Sequence, residues 1–312
     1  MKEKTTFDWF AVATAPRDYP MEVIRGTFYY RSENHGLDIP SGGTLTTGWG
    51  RSFSGYVVGP EFKPLPDRLE VTFYSYAEKQ VYRGSFQLPY DKILSMFQRR
   101  QVEEPERPYR KILLGIAPGG VVSVWLGGRD VHEVFFSHAE KIDLPPEAAF
   151  GLPFKSQEQA DNYIQNVLVD SVSPEQLAYI EQEGPPFGAW DRFRKMYAWA
   201  PVYRDGKSPY RDEMPAIFIN GESYKIPVHF TEEYANTPKP LLKETNFRAG
   251  GPKGPVYEVY FDPIETVDIF EKLGSQGERV YLEFDPQIPE KNVKIRAYND
   301  KESIPFTRVQ VK

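Results

Sequence analysis

The stretch "LEVTFYSYAEKQVYRGSFQL", residues 69–88, decides the fold class of this chain. Apolar residues occupy every second position from Leu69 to Phe73, which is the period of a strand with one buried face. The short polar segment "AEK" then separates this run from a second aromatic and β-branched run, "QVYRGSFQL". Two strand-like runs joined by a short turn form a hairpin, so the pairing is antiparallel.

Similar runs fill the rest of residues 1–150. They are "FDWFAVAT", "MEVIRGTFYY", "YRKILLGI", "VVSVWLGG" and "DVHEVFFSH". Aromatic and β-branched residues favour strands, and "APGG" between two of these runs predicts a further hairpin. One helix is expected among them, because Tyr90, Ile93, Leu94 and Phe97 share one helical face. We therefore predict a β-rich N-terminal region over 1–150.

A proline-rich break, "IDLPPEAAFGLPF", precedes a predicted helical bridge over 151–200. Ser156 with Gln159 three residues later is a capping-box pattern. Ser173 followed by Pro174 marks a second helix start. The segment "AWDRFRKMYAW" predicts a third helix.

Strand and helix patterns alternate in residues 201–312, which we expect to be a smaller α+β region. Asn220-Gly221 lies between two apolar runs and predicts a hairpin with a type I′ turn. Asp262, Pro263 and Gly274 mark the start and the end of a helix. The whole chain is thus predicted to be an α+β protein, mainly antiparallel, with at least ten strands and about five helices. No internal repeat is apparent, and the three parts can also form one continuous domain.

Composition excludes several functional classes. The formal net charge is -6, which argues against a nucleic-acid partner, because such binding needs a basic excess. The chain has no cysteine, which excludes disulfides, thiolate catalysis and cysteine-bound metals. No apolar run is long enough for a membrane span, and no signal peptide is visible. We expect a cytoplasmic protein; if a signal segment had been removed, the location would be periplasmic or lipid-anchored.

The usual catalytic motifs do not occur. The four histidines lack metal-ligand spacing, no dinucleotide fingerprint is complete, and no G-x-S-x-G elbow is present. We therefore expect no metal or other cofactor. Paired carboxylates of a glycan or lipid hydrolase would not be visible in sequence spacing, so this alternative stays open.

The most unusual local sequence is "GWGR", residues 48–51. Trp49 lies between two glycines, and it is either an indole packed into the core, which we favour, or an exposed platform for a partner. The hypothesis is that a partner-facing edge lies at one end of the N-terminal sheet, with Trp49 partly buried beneath it. Its residues are Trp49, Arg51, Tyr56, Tyr76 and Glu78, because arginine and tyrosine are enriched where proteins bind one another.

Several segments together resemble a known bacterial family. They are "FDWFAVATAPRDYPMEVIRGTFYY", "GWG", "GPEFKPLPDRLEVTFYSYAEKQVYRGSFQLP", "WDRFRKMYAWAPVY" and "FINGE". The family is catalogued as domain of unknown function 2931, and it has no established activity. The resemblance implies lipoprotein-like relatives, although this chain has neither a signal nor a cysteine. It also implies gene neighbourhoods that contain secreted antibacterial effectors.

Two classes of function follow. The first is a non-catalytic binding protein, in particular an immunity protein that neutralises a secreted effector by covering it. The second is a hydrolase acting on a glycan or a lipid. A pocket with converging carboxylates or a Ser–His pair would favour the enzyme.

Overall fold

The computed structural model describes residues 5–51, 58–204, 209–287 and 291–312. The chain forms two compact units, unit 1 (Met1–Gly188) and unit 2 (Ala189–Lys312). The described residues form 22 strands and seven α-helices, and nearly all strand pairs are antiparallel. The predicted α+β class is thereby confirmed. The predicted division at 150 and 200 stays a prediction; the boundary between the two compact units falls within the predicted helical bridge.

Unit 1 holds the first twelve strands and four helices of the described residues. The strands are β1 Thr6–Asp8, β2 Phe10–Thr14, β3 Met21–Tyr30, β4 Gly36–Asp38, β5 Thr44–Leu45, β6 Phe62–Pro64, β7 Pro66–Ser75, β8 Gln80–Gln87, β9 Lys111–Ala117, β10 Val121–Gly127, β11 Val131–His138 and β12 Glu140–Ile142. The helices are α1 Tyr90–Glu103, α2 Pro146–Phe150, α3 Gln157–Ser171 and α4 Pro174–Glu183.

Unit 2 holds the remaining elements. The strands are β13 Tyr197–Tyr203, β14 Glu213–Phe218, β15 Ser223–Pro227, β16 Pro238–Lys239, β17 Leu242–Arg248, β18 Val256–Tyr260, β19 Val280–Gln287, β20 Asn292–Tyr298, β21 Ser303–Pro305 and β22 Gln310–Val311. The helices are α5 Ala189–Phe193, α6 Glu232–Asn236 and α7 Pro263–Leu273.

Two larger sheets, besides the short β1–β6 pair, build unit 1. The mixed sheet has the order β2-β9-β10-β11, with β2 parallel to β9, and the antiparallel sheet has the order β12-β8-β7-β3-β4. One buried cluster contains side chains from both sheets, such as Leu114 and Phe73, together with Phe97 of α1. The two sheets therefore pack face to face, and α1 contributes to the same core.

Two local expectations are wrong. The predicted helix "AWDRFRKMYAW" ends at Phe193, and Tyr197–Tyr203 is a strand because it pairs with two neighbouring strands. The hairpin at Asn220-Gly221 exists, but its turn is not type I′, since only Gly221 of the two residues has a positive φ. The Gly221 N–H donates to the Phe218 carbonyl, which gives a longer connection than a two-residue turn.

Unit 2 repeats the topology of unit 1. Its mixed sheet has the order β13-β19-β20-β21, with β13 parallel to β19, and its antiparallel sheet has the order β22-β18-β17-β14-β15. Each strand and the connecting helix α7 has its counterpart, in the same chain order, in β2-β9-β10-β11, in β12-β8-β7-β3-β4 and in α1. The absence of a repeat inferred from the sequence is thus wrong: the chain contains one fold twice.

The repeat extends to an irregularity in the strand register. In unit 1 the pairing skips Asp67, whose carbonyl accepts from the Leu88 N–H at 2.7 Å. In unit 2 the pairing skips Lys243, whose carbonyl accepts from the Phe261 N–H at 2.8 Å. The same bulge with the same hydrogen bond in both units indicates that they share one fold, because bulges are conserved features of a fold.

A tryptophan–lysine contact, which we call the Trp–Lys clasp, recurs in both units. In unit 1 the Lys63 ammonium donates to the Trp9 carbonyl at 2.6 Å, and the Trp9 indole N–H donates to the Pro64 carbonyl at 3.1 Å. The ammonium also lies 5.8 Å from the centre of the Trp9 ring. Each clasp thus joins the start of the mixed sheet to the strand before the long antiparallel hairpin.

Unit 2 makes the same contacts with its own residues. The Lys239 ammonium donates to the Trp199 carbonyl at 2.6 Å, and the indole N–H donates to the Pro240 carbonyl at 3.0 Å. The Trp and Lys are 54 residues apart in unit 1 and 40 in unit 2. This unequal spacing is why the repeat is not apparent in the sequence, where little beyond "KPL" is shared at this position.

The buried clasp of unit 2 gives a pH-dependent stability. Burial lowers the pKa of Lys239 to about 8, whereas a lysine in the unfolded chain keeps its proton to about 10.4. Between these values the folded chain holds fewer protons than the unfolded chain, so the contribution of Lys239 to stability rises with pH. We expect the free energy of unfolding of the wild type, minus that of Lys239→Met, to increase from pH 8 to pH 10 in urea titrations. A difference that stays constant over this range would contradict the assignment.

Candidate functional site

The antiparallel sheet of unit 1 has an outer face, turned away from the core, and helices cover only one part of it. The covered part carries Tyr74, Tyr76 and Val81, which form a second buried cluster with Ile164 of α3 and Ile180 of α4. Tyr74 and Phe150 of α2 are in edge contact at 4.8 Å between ring centres. The rest of the outer face carries polar side chains and is open.

The open part forms a cavity of about 540 Å³, which we call groove 1; we define it by the charged and hydroxyl side chains that line it. They include Arg25, Thr27, Glu70, Thr72, Arg83 and Glu140, and Tyr29, Ser85 and His138 also belong to the lining. Strand pairing places Arg25, Thr72, Arg83 and Glu140 in one row across four strands. A concave site into which several polar side chains converge has one of the features of ligand-binding sites.

The arginines of groove 1 are available to a partner. The Arg83 Nε donates to the Thr72 hydroxyl at 3.3 Å, which leaves the terminal nitrogens of this guanidinium for other acceptors. Among the described residues, neither Arg25 nor Arg83 forms an ion pair. Two guanidinium groups on either side of a threonine can bind carboxylates through charge-assisted hydrogen bonds.

The neighbouring row is held by internal contacts. The Thr27 hydroxyl donates to Asp38 at 2.7 Å, and the Arg68 Nε lies 3.6 Å from a Glu70 oxygen. The Arg68 guanidinium also stacks over the Tyr29 ring at 4.1 Å. These contacts fix the side chains that form one wall of groove 1, so the cavity is preorganised on that side.

Unit 2 has a cavity at the equivalent place, of about 610 Å³, which we call groove 2. Its charged, polar and apolar lining includes Tyr210, Arg211, Glu213, Lys225, Asn246, Arg248 and Val256. Arg248 and Val256 form a cross-strand pair, as Thr72 and Arg83 do in unit 1. The same face of the same fold therefore bears a groove in both units, with different side chains in each.

The structure places Trp49 inside the protein. Gly48 and Gly50 have φ values of +102° and +71°, so both use the backbone freedom of glycine to turn the chain around the indole. Trp49 is 6% exposed and packs edge-on against Trp125, 4.8 Å between ring centres. The interpretation of "GWG" as a bend that buries the ring is confirmed.

Contacts with the end of β2 hold this bend. The Gly48 N–H donates to the Ala15 carbonyl at 2.9 Å, and the Thr14 hydroxyl donates to the Gly48 carbonyl at 2.6 Å. The Arg51 N–H donates to the Gly48 carbonyl at 3.0 Å, and the Arg51 side chain is half-buried. Tyr56, the next residue of the predicted edge, lies outside the described residues.

Tyr76 is a correction to the predicted edge. It is fully buried under α2, its ring stacks on Phe150, and its hydroxyl donates to Glu22. Burial, followed by the Glu22 carboxylate, raises the pKa of the Tyr76 hydroxyl. A ring in this position supports the sheet and does not present itself to a partner.

Glu78 joins two turns. One carboxylate oxygen accepts from the Tyr82 hydroxyl at 2.5 Å, and the other accepts from the Gly119 N–H at 3.0 Å. The turn of the β7–β8 hairpin is thus tied to the turn between β9 and β10. Trp49, Tyr76 and Glu78 lie in three different sets of contacts, so the described contacts do not unite them in one cluster.

Sequence reasoning missed the groove residues. The alternation in β7 predicts that Glu70 and Thr72 face away from the core, but it does not show which part of that face the helices leave open.

Among the described residues, no group of three or more His, Asp or Glu is placed to hold a metal ion. Within the same part of the chain, no helix has the length and hydropathy to cross a bilayer.

Comparison with known proteins identifies the family. The family described as protein of unknown function, DUF2931, matches residues 1–188, which is more than half of the chain, so the chain belongs to this family. The match covers the same residues as unit 1 and does not extend to the second copy of the fold. No curated protein and no solved structure matches the chain.

The burial of Trp49 gives a direct stability test. Trp49→Ala removes the indole from its contact with Trp125 and leaves a cavity, so we expect a loss of roughly 3–5 kcal/mol in the free energy of unfolding. The measurement is urea denaturation followed by circular dichroism. Trp49→Ala with wild-type stability would show that the indole is not part of the core.

Proposed function

We propose that this member of the DUF2931 family is a non-catalytic binding protein that recognises another protein through the outer face of its antiparallel sheets. In unit 1 the partner-binding surface is groove 1, and the partner class is a secreted antibacterial effector that the chain neutralises by covering it. The observation that carries the proposal is the recurrence of a groove on the same face of the same fold in both units.

The chemistry of the two grooves favours recognition over catalysis. Strand register makes Glu70 of groove 1 equivalent to Asn246 of groove 2, and Thr72 equivalent to Arg248. A scaffold that keeps a groove but exchanges its side chains is suited to selecting different surfaces. A catalytic pair would instead require particular acids and bases at fixed positions.

The arginines of groove 1 supply the expected binding energy. Arginine is enriched among the few residues that dominate protein interfaces, and an unpaired guanidinium can bind a carboxylate through two hydrogen bonds. Groove 1 also contains Glu70 and Glu140, so a partner must present its charges in a matching pattern. Such complementarity gives specificity and excludes surfaces with the wrong sign at each position.

The test is a binding measurement with charge-reversed variants. The double variant Arg25→Glu/Arg83→Glu should weaken binding to the proposed effector partner by about 2 kcal/mol, roughly 30-fold, in isothermal titration calorimetry. Both side chains are exposed, so the melting temperature should stay near that of the wild type.

A matched control carries the same charge change outside the groove. Arg99→Glu/Lys155→Glu reverses two exposed cations of unit 1 that do not line groove 1 and should bind as the wild type does. Equal affinity for both double variants would contradict the role of groove 1. Turnover of a glycan or lipid ester by the purified chain, lost in Glu70→Gln, would instead favour the hydrolase.

A further inference from the structure

Groove 2 exposes large apolar side chains beside an arginine. Tyr210 and Val256 are 58% and 47% exposed and line the same groove. The Tyr210 N–H donates to the Arg248 carbonyl at 2.9 Å, and Val256 is the cross-strand partner of Arg248. Arg248 therefore lies between two exposed side chains with apolar surface, and tyrosine and arginine are enriched at interface hot spots.

The charges of groove 2 are mostly positive. Arg211, Lys225 and Arg248 face a single carboxylate, Glu213, which is already paired with Lys225 at 2.8 Å. The Arg248 guanidinium donates to the Gly254 carbonyl, a neutral acceptor, and Arg211 forms no ion pair with any described residue. Within the described part of the chain, these two guanidinium groups thus have no ion-pair partner, although the whole chain carries a net charge of -6.

We propose that groove 2 is a second recognition site, which binds a protein segment that carries carboxylates beside an apolar side chain. The two guanidinium groups bind the carboxylates, and Tyr210 and Val256 pack against the apolar side chain. The apolar part of the groove favours a polypeptide over a free anion, which would leave these two side chains in water. This inference extends the proposed function to unit 2 and rests on the same choice of the outer sheet face as the recognition surface.

The chain has no cysteine, so a single introduced thiol can report on one groove at a time. Asn246→Cys lines groove 2 and Ser85→Cys lines groove 1, and both positions are exposed. Each full-length variant is labelled with bimane, and its fluorescence is titrated with the capped pentapeptide Glu-Glu-Leu-Glu-Glu. The comparison peptides replace leucine with glycine, or every glutamate with lysine.

The acidic leucine peptide should give a saturable, salt-sensitive change at Asn246→Cys, with at least fivefold weaker binding of the glycine peptide and none of the lysine peptide. Adding Arg211→Gln/Arg248→Gln should weaken binding at least tenfold. Arg211→Gln alone should weaken it too, and this variant keeps the Arg248–Gly254 contact in case the double variant is unstable. Equal responses to the acidic and basic peptides, or unchanged affinity in Arg211→Gln, would overturn the proposal.

The two proposals fail separately. If the peptide gives no response at Asn246→Cys, the groove 2 proposal fails. Effector binding at groove 1 is still tested separately by Arg25→Glu/Arg83→Glu. Conversely, the effector can bind the groove 1 variants as tightly as the wild type while the peptide still binds at Asn246→Cys. This result would contradict the assignment of groove 1 to the effector and leave the groove 2 proposal standing. A response at Ser85→Cys alone would place the acidic segment in groove 1 and contradict the assignment to groove 2.

Discussion

In each unit, a buried lysine side chain hydrogen-bonded to a tryptophan carbonyl joins the start of the mixed sheet to the strand before the antiparallel hairpin. Burying a charge is costly unless the charge is hydrogen-bonded, and here a carbonyl and an aromatic face share this role. The clasps of Lys63 with Trp9 and of Lys239 with Trp199 both fix the chain that enters the antiparallel sheet. Because the same contact recurs in a second set of residues, it belongs to the fold itself and not to one local sequence.

Both units share the Trp–Lys clasp and the strand bulge, whereas the side chains on the outer face of the antiparallel sheet differ between the units. In unit 1 the long β7–β8 hairpin extends to Tyr74 and Tyr76, and the helices α2, α3 and α4 cover this extension. In unit 2 the corresponding strand β17 ends at Arg248. What remains open in both units is the polar or mixed area that forms the grooves. The two units thus share their packing contacts and differ in the side chains that line their grooves.

Much of the fold is predictable from the sequence, and the candidate site is not. The period-two alternation of Leu69, Val71 and Phe73 predicts the central strand because burial on one face selects it. The caps at Ser156 and Asp262 predict their helices because the hydrogen bonds that define them are local. The local sequence of the segment that ends at Trp199 predicts a helix, but its last residues pair with strands that are distant in the chain. Tertiary pairing overrides local propensity there.

The repeat and the grooves depend on information that a single sequence does not carry. The two copies share a register and a bulge but few residue types, and unequal loop lengths hide their common spacing. Trp49 lies in the most unusual local sequence, yet the two glycines beside it turn the chain so that its indole is buried. Arg25 and Arg83 lie in ordinary strand patterns, and only the pairing of β3, β7 and β8 places them around Thr72.

Hydroxyl-radical footprinting of the chain, alone and mixed with the proposed effector partner, tests the central claim most directly. This measurement reports the exposure of individual side chains in the intact complex. If the outer face of the antiparallel sheet is the recognition surface, Tyr29 and His138, which line groove 1, lose reactivity when the effector binds. Unchanged reactivity at these two residues, with protection confined to other surfaces of unit 1, would contradict the account.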